Sequence, residues 1–276
     1  MAGPEANSSA SAQRVRFAGR WFDVYDLSQT LSNETAAIEP NPHSIEYTTH
    51  AQSAAAERFG IPAAAWPGEE AWALETVTLT THSGTHIDAP FHYASTGPGG
   101  KPARTIDELP LQWVMSDAFV LRMIDVEVEV GITERDVREE LERIGYAPKE
   151  NDIALVRTDV SRRFGERGYE ALHPGLRREA TAYLVEHGVR LIGIDAWGVD
   201  RPFGIMAAEL HEGDAGQLWE SHKYGAEREY SQIEKLCNLA ALPQPHGFQV
   251  LAMPVAIAGG SAGWARVVAL VETKES

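Results

Sequence analysis

The chain has 276 residues, 43% of them hydrophobic, 8% aromatic and 23% charged, the composition of a globular protein rather than a disordered or fibrous one. Twenty-four Lys and Arg against 40 Asp and Glu give a net charge of −16, which repels phosphates and anionic headgroups and argues against nucleic acid and membrane partners. The single cysteine, Cys237, excludes an intrachain disulfide and a thiolate zinc cluster.

Residues 1–16, opening MAGPEANSSASAQR, are small and polar and lack the apolar core of a signal peptide. No apolar run nears the roughly 20 residues that span a bilayer, so this segment reads as a disordered lead-in to a cytoplasmic protein. Order is expected from Phe17, with WFDVYDLS strand-like. Residues 39–67, rich in Pro, Ala and His, read as a long loop with one short helix near 51–59. The β-branched alternation of ETVTLTT predicts a strand at 75–81, and similar runs predict strands at 118–124, 153–158, 190–195, 248–255 and 265–271. A helix is predicted over 133–144, capped by Thr133 and Asp136, apolar on the face of Val137, Leu141 and Ile144, and stopped by Gly145. Two more are predicted at 176–187, between Pro174 and Gly188, and at 231–242, where Cys237 would be a small buried hydrophobe. Alternating strands and helices, with no repeat or dividing linker, predict one α/β domain over 17–276, a mixed sheet flanked by helices.

The chemically informative stretch is THSGTHIDAPFHY at 81–93, which places His82, His86, Asp88 and His92 within eleven positions. Gly84 and Pro90 disfavour a helix. In an extended chain the side-chain period of two would turn all four groups to one side, and Pro90 would put His92 on a loop beside them. Imidazole and carboxylate without sulfur suit Zn²⁺ or Mn²⁺. A second cluster, His222 and Glu234, could complete such a site, although Ser231 and Glu234 also fit a helix capping box.

These residues resemble the metal-dependent cyclase family, which includes bacterial kynurenine formamidases and isatin hydrolases. The hallmark H-x-G-T-H-x-D-x-P-x-H is complete as His82, Gly84, Thr85, His86, Asp88, Pro90 and His92. Further similarity lies in DLS at 26–28, KPARTIDELPL at 101–111, DIALVRT at 152–158, HPGL at 173–176, GIDAWGVD at 193–200 and IEKLCNLAALP at 233–243. The resemblance implies that His82, His86 and Asp88 bind one or two divalent metals, and that His92 acts in proton transfer. It implies that His222 and Glu234, twelve residues apart, complete the metal site. It also implies a swivelling β/β/α fold assembled as a homodimer or homotetramer. Two departures stand out: the longer segment at 39–62, carrying His43 and His50 as expected surface histidines, and a larger region between Pro202 and Trp219. Both are expected to shape the pocket, which argues against N-formylkynurenine itself as the substrate.

The expected chemistry is metal-dependent hydrolysis of an amide, formamide or lactam C–N bond. A divalent ion lowers the pKa of water from about 15.7 to about 7, and an imidazole with an ordinary pKa near 6.5 can carry the proton. Trp66, Trp72 and Trp197 would suit a small aromatic substrate, although core packing explains each equally well. A biosynthetic cyclase or dehydratase would use the same metal. A non-catalytic metal-binding protein would have no need of His92. The G-x-S-x-G match at 259–263 is a decoy, because no Asp or His follows Ser261; it reads as a glycine turn between strands. Asp195 and Asp200, just past a strand, read as loop-ordering or helix-capping carboxylates.

Overall fold

The computed structural model describes residues 11–213 and 215–274. Its frame is a ten-stranded mixed sheet. In chain order the strands of that sheet and of a small second one are β1 (Gln13–Phe17), β2 (Arg20–Asp26), β3 (Ser44–Thr48), β4 (Leu74–Thr78), β5 (His86–Asp88), β6 (Met115–Arg122), β7 (Ile153–Arg157), β8 (Leu191–Ile194), β9 (Ser231–Glu234), β10 (His246–Leu251), β11 (Ala262–Trp264) and β12 (Val268–Thr273). The helices are α1 (His50–Ala55), α2 (Pro90–Tyr93), α3 (Glu134–Ile144), α4 (Arg178–Glu186), α5 (Phe203–His211) and α6 (Glu220–Glu227). The large sheet runs β1-β2-β12-β10-β6-β7-β8-β9-β5-β11, and only β6 through β9 are mutually parallel.

The parallel centre is buried on both faces. Along β7, Ile153 and Leu155 point into one apolar cluster, Ala154 and Val156 into the other, as the two-residue strand period requires. The second cluster is roofed by α3 through Val137 and Leu141 and by α4 through Ala180, Leu184 and Val185. Over the first, the ends of the sheet curl together: Cys237 N–H, just past β9, donates to the Leu27 carbonyl just past β2. The architecture is the expected mixed α/β domain with flanking helices. No helix among the described residues is long and apolar enough to cross a membrane.

Most local expectations hold, and α3 is capped as predicted, Thr133 Oγ1 accepting from Asp136 N–H and Gly145 closing it at φ 66°. Five do not. Residues 231–242 do not form a helix. The i, i+3, i+4 spacing of Ile233, Leu236 and Cys237 imitates one, but 231–234 are wholly buried as β9, parallel to β8 and antiparallel to β5. Sheet pairing at a buried position overrides propensity, so the capping box at Ser231 and Glu234 is absent, and Cys237 is buried outside any helix. Residues 39–67 contain strand β3 besides α1, and β4 pairs with β3 alone in a separate two-stranded sheet. His43 is buried, its Nε2 2.6 Å from the Ser32 carbonyl, whereas His50 is exposed. At the N-terminus, residues 1–10 of the expected lead-in lie outside the described residues. Order nevertheless precedes Phe17, since Gln13–Phe17 pairs with β2 and Arg14 bridges Asp23 at 3.0 Å.

Candidate metal centre

The hallmark segment does not run extended throughout. Residues 81–85 turn, with Gly84 at φ +61°, and only His86–Asp88 is strand. Held between β9 and β11, β5 buries Ile87 in the core and turns His86 and Asp88 to the opposite face. Pro90 then opens the single-turn helix α2, so His92 stands on a helix rather than a loop. Its missing N–H costs nothing at the first helical position.

The turn at 81–85 is fixed from far along the chain. The buried Lys235 ammonium donates to both Glu39 carboxylate oxygens, at 3.0 and 2.8 Å, and to the His82 carbonyl at 2.8 Å. Glu39 Oε1 also accepts from Gly84 N–H at 2.9 Å, and the Thr85 hydroxyl donates to the Lys235 carbonyl. A buried pair with its hydrogen bonds filled holds geometry even where its net stabilisation is small.

All six residues anticipated for the site converge. Asp88 is at the centre: its Oδ1 lies 2.9 Å from His82 Nδ1 and 3.3 Å from His86 Nε2, and its Oδ2 lies 3.8 Å from His222 Nε2. Glu234 Oε2 is 3.6 Å from His86 Nε2. Two ligand sets share Asp88: His82, Asp88 and His92; and His86, Asp88 and Glu234, each with donor atoms within 4.8 Å of one another. His92 packs its ring 4.2 Å from that of His82 and 5.4 Å from that of His222.

Each ring approaching Asp88 is held at its other nitrogen. His86 Nδ1 is 2.8 Å from the Gly84 carbonyl, His222 Nδ1 meets Asp200 Oδ2, and His82 Nε2 is 3.2 Å from Ser261 Oγ. Asp200 also accepts from the backbone N–H groups of Ser221 and His222 in the first turn of α6, so the capping expected of it is combined with orienting a ligand-type ring. Gly175 of HPGL makes this possible, because a Cβ there would lie 2.0 Å from the Asp200 carbonyl carbon. Asp195 has a purely structural part, accepting from Thr158 N–H and hydroxyl and from Asp159 N–H.

The inner atoms are unmet. His86 Nε2 and both Asp88 carboxylate oxygens are buried without a hydrogen-bond partner, a costly state for polar groups and most of all for a carboxylate. A mixed nitrogen and oxygen donor set converging on one carboxylate suits a divalent cation, so the residues present fit such an ion. Burial would raise the Asp88 pKa, but the imidazoles around it, His86 first and then His222 and His82, outweigh it and hold the carboxyl well below its usual range. Burial and the Asp88 charge push Glu234 up. For His222, burial acts downward but Asp200 and Asp88 prevail, to about 10. His92 goes the other way: burial, with the nearby His82 and His222 rings, lowers it to about 4, so its imidazole is neutral at pH 7.

The centre opens into a cavity of about 280 Å³ lined by His82, His92, Trp197, Phe203, Trp219 and Lys235 among others. Trp219 lies flat on His222 (4.3 Å between centroids, 12°) and edge-on to His92 at 5.5 Å. Trp197 reaches the cavity as anticipated, whereas Trp66 and Trp72 pack on each other at 5.7 Å outside it. Glu39, Lys235, Phe203, Trp219 and Ser261 were not singled out for the site from sequence. The insertions at 39–62 and 202–219 carried a signal for Glu39, Phe203 and Trp219, and the family-like stretch at 233–243 one for Lys235.

His173, beside Asp200, gives a separate test of this packing. It is buried, donates Nε2–H to the Asp200 carbonyl at 2.9 Å and has no partner at Nδ1. Burial lowers its pKa from 6.5 to about 4. Because the folded value is the lower one, the unfolded chain takes up a proton first as pH falls. Stability is therefore expected to drop by about 3 kcal/mol between pH 6.5 and about 4. Urea titrations across that range should show the loss in the wild type and a flatter profile in His173→Gln. Identical profiles would assign the loss to other groups.

Comparison with known proteins gives the family. Residues 25–201 match the family model described as putative cyclase. The chain belongs to the cyclase family. Among relatives of this cyclase-family protein, the kynurenine formamidase of Bacillus cereus is 29% identical over 195 residues, covering 67% of this chain and 74% of the relative. That of Bacillus thuringiensis is 30% identical over 178 residues, covering 63% and 69%. Isatin hydrolase A from Ralstonia solanacearum superposes with a TM-score of 0.68 at 26% identity, covering 91% of this chain and 92% of that one. An isatin hydrolase bound to the product analogue thioisatinate gives 0.71 at 20% identity, covering 91% and 93%.

Proposed function

We propose that this cyclase-family protein is a metal-dependent hydrolase of an amide, formamide or lactam C–N bond in a small aromatic substrate. The observation that carries the reading is the set of unmet buried atoms on His86 and Asp88, beside a neutral His92 that lines an aromatic-walled cavity. The kynurenine formamidase relatives and the isatin hydrolase neighbour at 26% identity support the bond type. Nothing in the site favours cyclisation or dehydration over hydrolysis.

His82, His86, Asp88, His222 and Glu234 would hold Zn²⁺ or Mn²⁺. When bound, the ion acidifies water and polarises a carbonyl oxygen. The carbonyl carbon gains a bond to the water oxygen and the C–N bond breaks. His92, which burial keeps neutral and so free to accept, takes the proton that water gives up and delivers it to the departing nitrogen. Trp219 shields the His92 and His222 rings from bulk water. Trp197 and Phe203 supply a further aromatic wall, their rings 6.1 Å apart, for a flat substrate. A cavity of this volume lies just under the usual range of about 300–1,000 Å³, which fits a one- or two-ring molecule.

Stripping the protein with a chelator and assaying it on an N-formyl arylamine and an aryl-fused lactam tests the reading. Activity should vanish on stripping and return with Zn²⁺ or Mn²⁺, and the melting temperature should rise as the cation binds the folded state alone. Hydrolysis that survives complete metal removal would overturn it.

A further inference from the structure

The GGSAG segment at 259–263 has no part in the chemistry so far, and as a nucleophile elbow it fails for want of downstream Asp or His. Its position nevertheless sets it apart. Ser261 Oγ is 3.2 Å from His82 Nε2, on the far side of that ring from Asp88, whose Oδ1 is 2.9 Å from Nδ1.

The hydroxyl is delivered on rigid backbone. The Ser261 carbonyl accepts from Ala89 N–H at 2.9 Å, and the next residue, Ala262, pairs with Asp88 in the β11–β5 ladder. Ser261 is thus tied to the strand that carries Asp88. The surrounding glycines serve the same end. Gly259 N–H donates to Asp107 Oδ1, the Gly260 carbonyl accepts from Ile106 N–H, and a Cβ on Gly263 would lie 2.5 Å from the Val255 carbonyl oxygen.

We propose that Ser261 is a positioning residue for the metal centre, its hydroxyl accepting Nε2–H of His82 and so committing Nδ1 of that ring to the cation. The inference rests on the metal-site reading above. A neutral imidazole carries one proton on two nitrogens, and a ring that gives its Nδ1 lone pair to a cation must carry that proton on Nε2. Ser261 Oγ is the acceptor that stands there. His86 and His222 have a carbonyl and a carboxylate in the equivalent place, and neither of those acceptors can turn donor. A serine hydroxyl can do both, so with Ser261 the tautomer of His82 can follow occupancy of the site. Such outer partners fix ring orientation and ligand basicity in metal sites generally.

The test is competitive titration of the metal-free, full-length protein with Co²⁺ against a chelator, for wild type, Ser261→Ala and Ser261→Thr, with His86→Ala as the ligand control. Ser261→Ala should weaken Co²⁺ binding by about 10–100-fold and shift the cobalt absorption bands. The melting temperature of the metal-free protein should stay where it is, and Ser261→Thr, which keeps a hydroxyl, should recover the affinity. The proposal is overturned if Ser261→Ala binds Co²⁺ as the wild type does. It is equally overturned if Ser261→Thr binds no better than Ser261→Ala, or if the metal-free variant melts early, which would make the residue a packing element. A wild type that takes up no Co²⁺, or a His86→Ala variant that takes it up undiminished, would instead bring down the metal-site reading itself.

Discussion

Replacing His86 by alanine is expected to empty the metal centre and abolish turnover while leaving a folded protein. The ring is inaccessible to solvent and set on both sides: β5 is paired to β9 and to β11, and Nδ1 is held at 2.8 Å by the Gly84 carbonyl. Its Nε2 therefore has one direction available, toward Asp88 and Glu234, and it has no hydrogen-bond partner there. Among the described residues, no other histidine is ion-paired with both carboxylates. Elemental analysis should fall from about one or two equivalents of metal to nearly none. Polarisation by the ion is worth several kcal/mol at about 1.4 kcal/mol per tenfold, so kcat/KM should fall by about a thousandfold or more. The metal-free variant should melt close to the metal-free wild type, because the difference between them in the loaded state is binding energy. Full metal content in His86→Ala would show that the ligands lie elsewhere.

His92→Ala should separate proton transfer from metal binding. The ring sits on α2 with Trp219 edge-on at 5.5 Å and the His82 ring at 4.2 Å, and burial keeps it neutral with a pKa of about 4. If it carries the proton to the leaving nitrogen, kcat should fall by about 10²–10⁴-fold, the usual worth of general acid–base catalysis. Metal content and KM should change little. His92 also lies within ligand reach of His82 and Asp88, which gives the experiment its other outcome. Metal lost together with activity would make it a ligand, and the proton carrier would have to be sought elsewhere in the cavity.

The parts of the site that were legible in the sequence are those whose geometry is set within a few residues. His86 and Asp88 are two apart, and the strand period alone turns them to one face. The Thr133–Asp136 cap and the Gly145 stop are contained in one helix and appear as read. His82 and His92 were anticipated beside them, although a turn at Gly84 and a helix begun by Pro90, rather than an unbroken extended run and a loop, bring them in. The reading failed where two local patterns competed. At 231–242 the apolar spacing and a plausible cap both pointed to a helix, and only burial between β8 and β5 makes Ser231–Glu234 a strand. That error concealed how Glu234 is aimed: directly across the ladder from His86.

By itself, then, the amino-acid sequence determined the candidate donor types and the shared face of His86 and Asp88, along with the exclusion of thiolate sites by a single cysteine. Tertiary structure decided what holds those ligands. The Lys235–Glu39 pair spans 196 residues, the Ser261–His82 contact 179, and the Asp200–His222 contact 22 across an intervening helix. None of these has a local signature, because a side chain's hydrogen-bond partner is set by which strands the sheet makes neighbours. Periodicity records only which face a residue presents. The partner that completes it is chosen when the chain closes around Asp88.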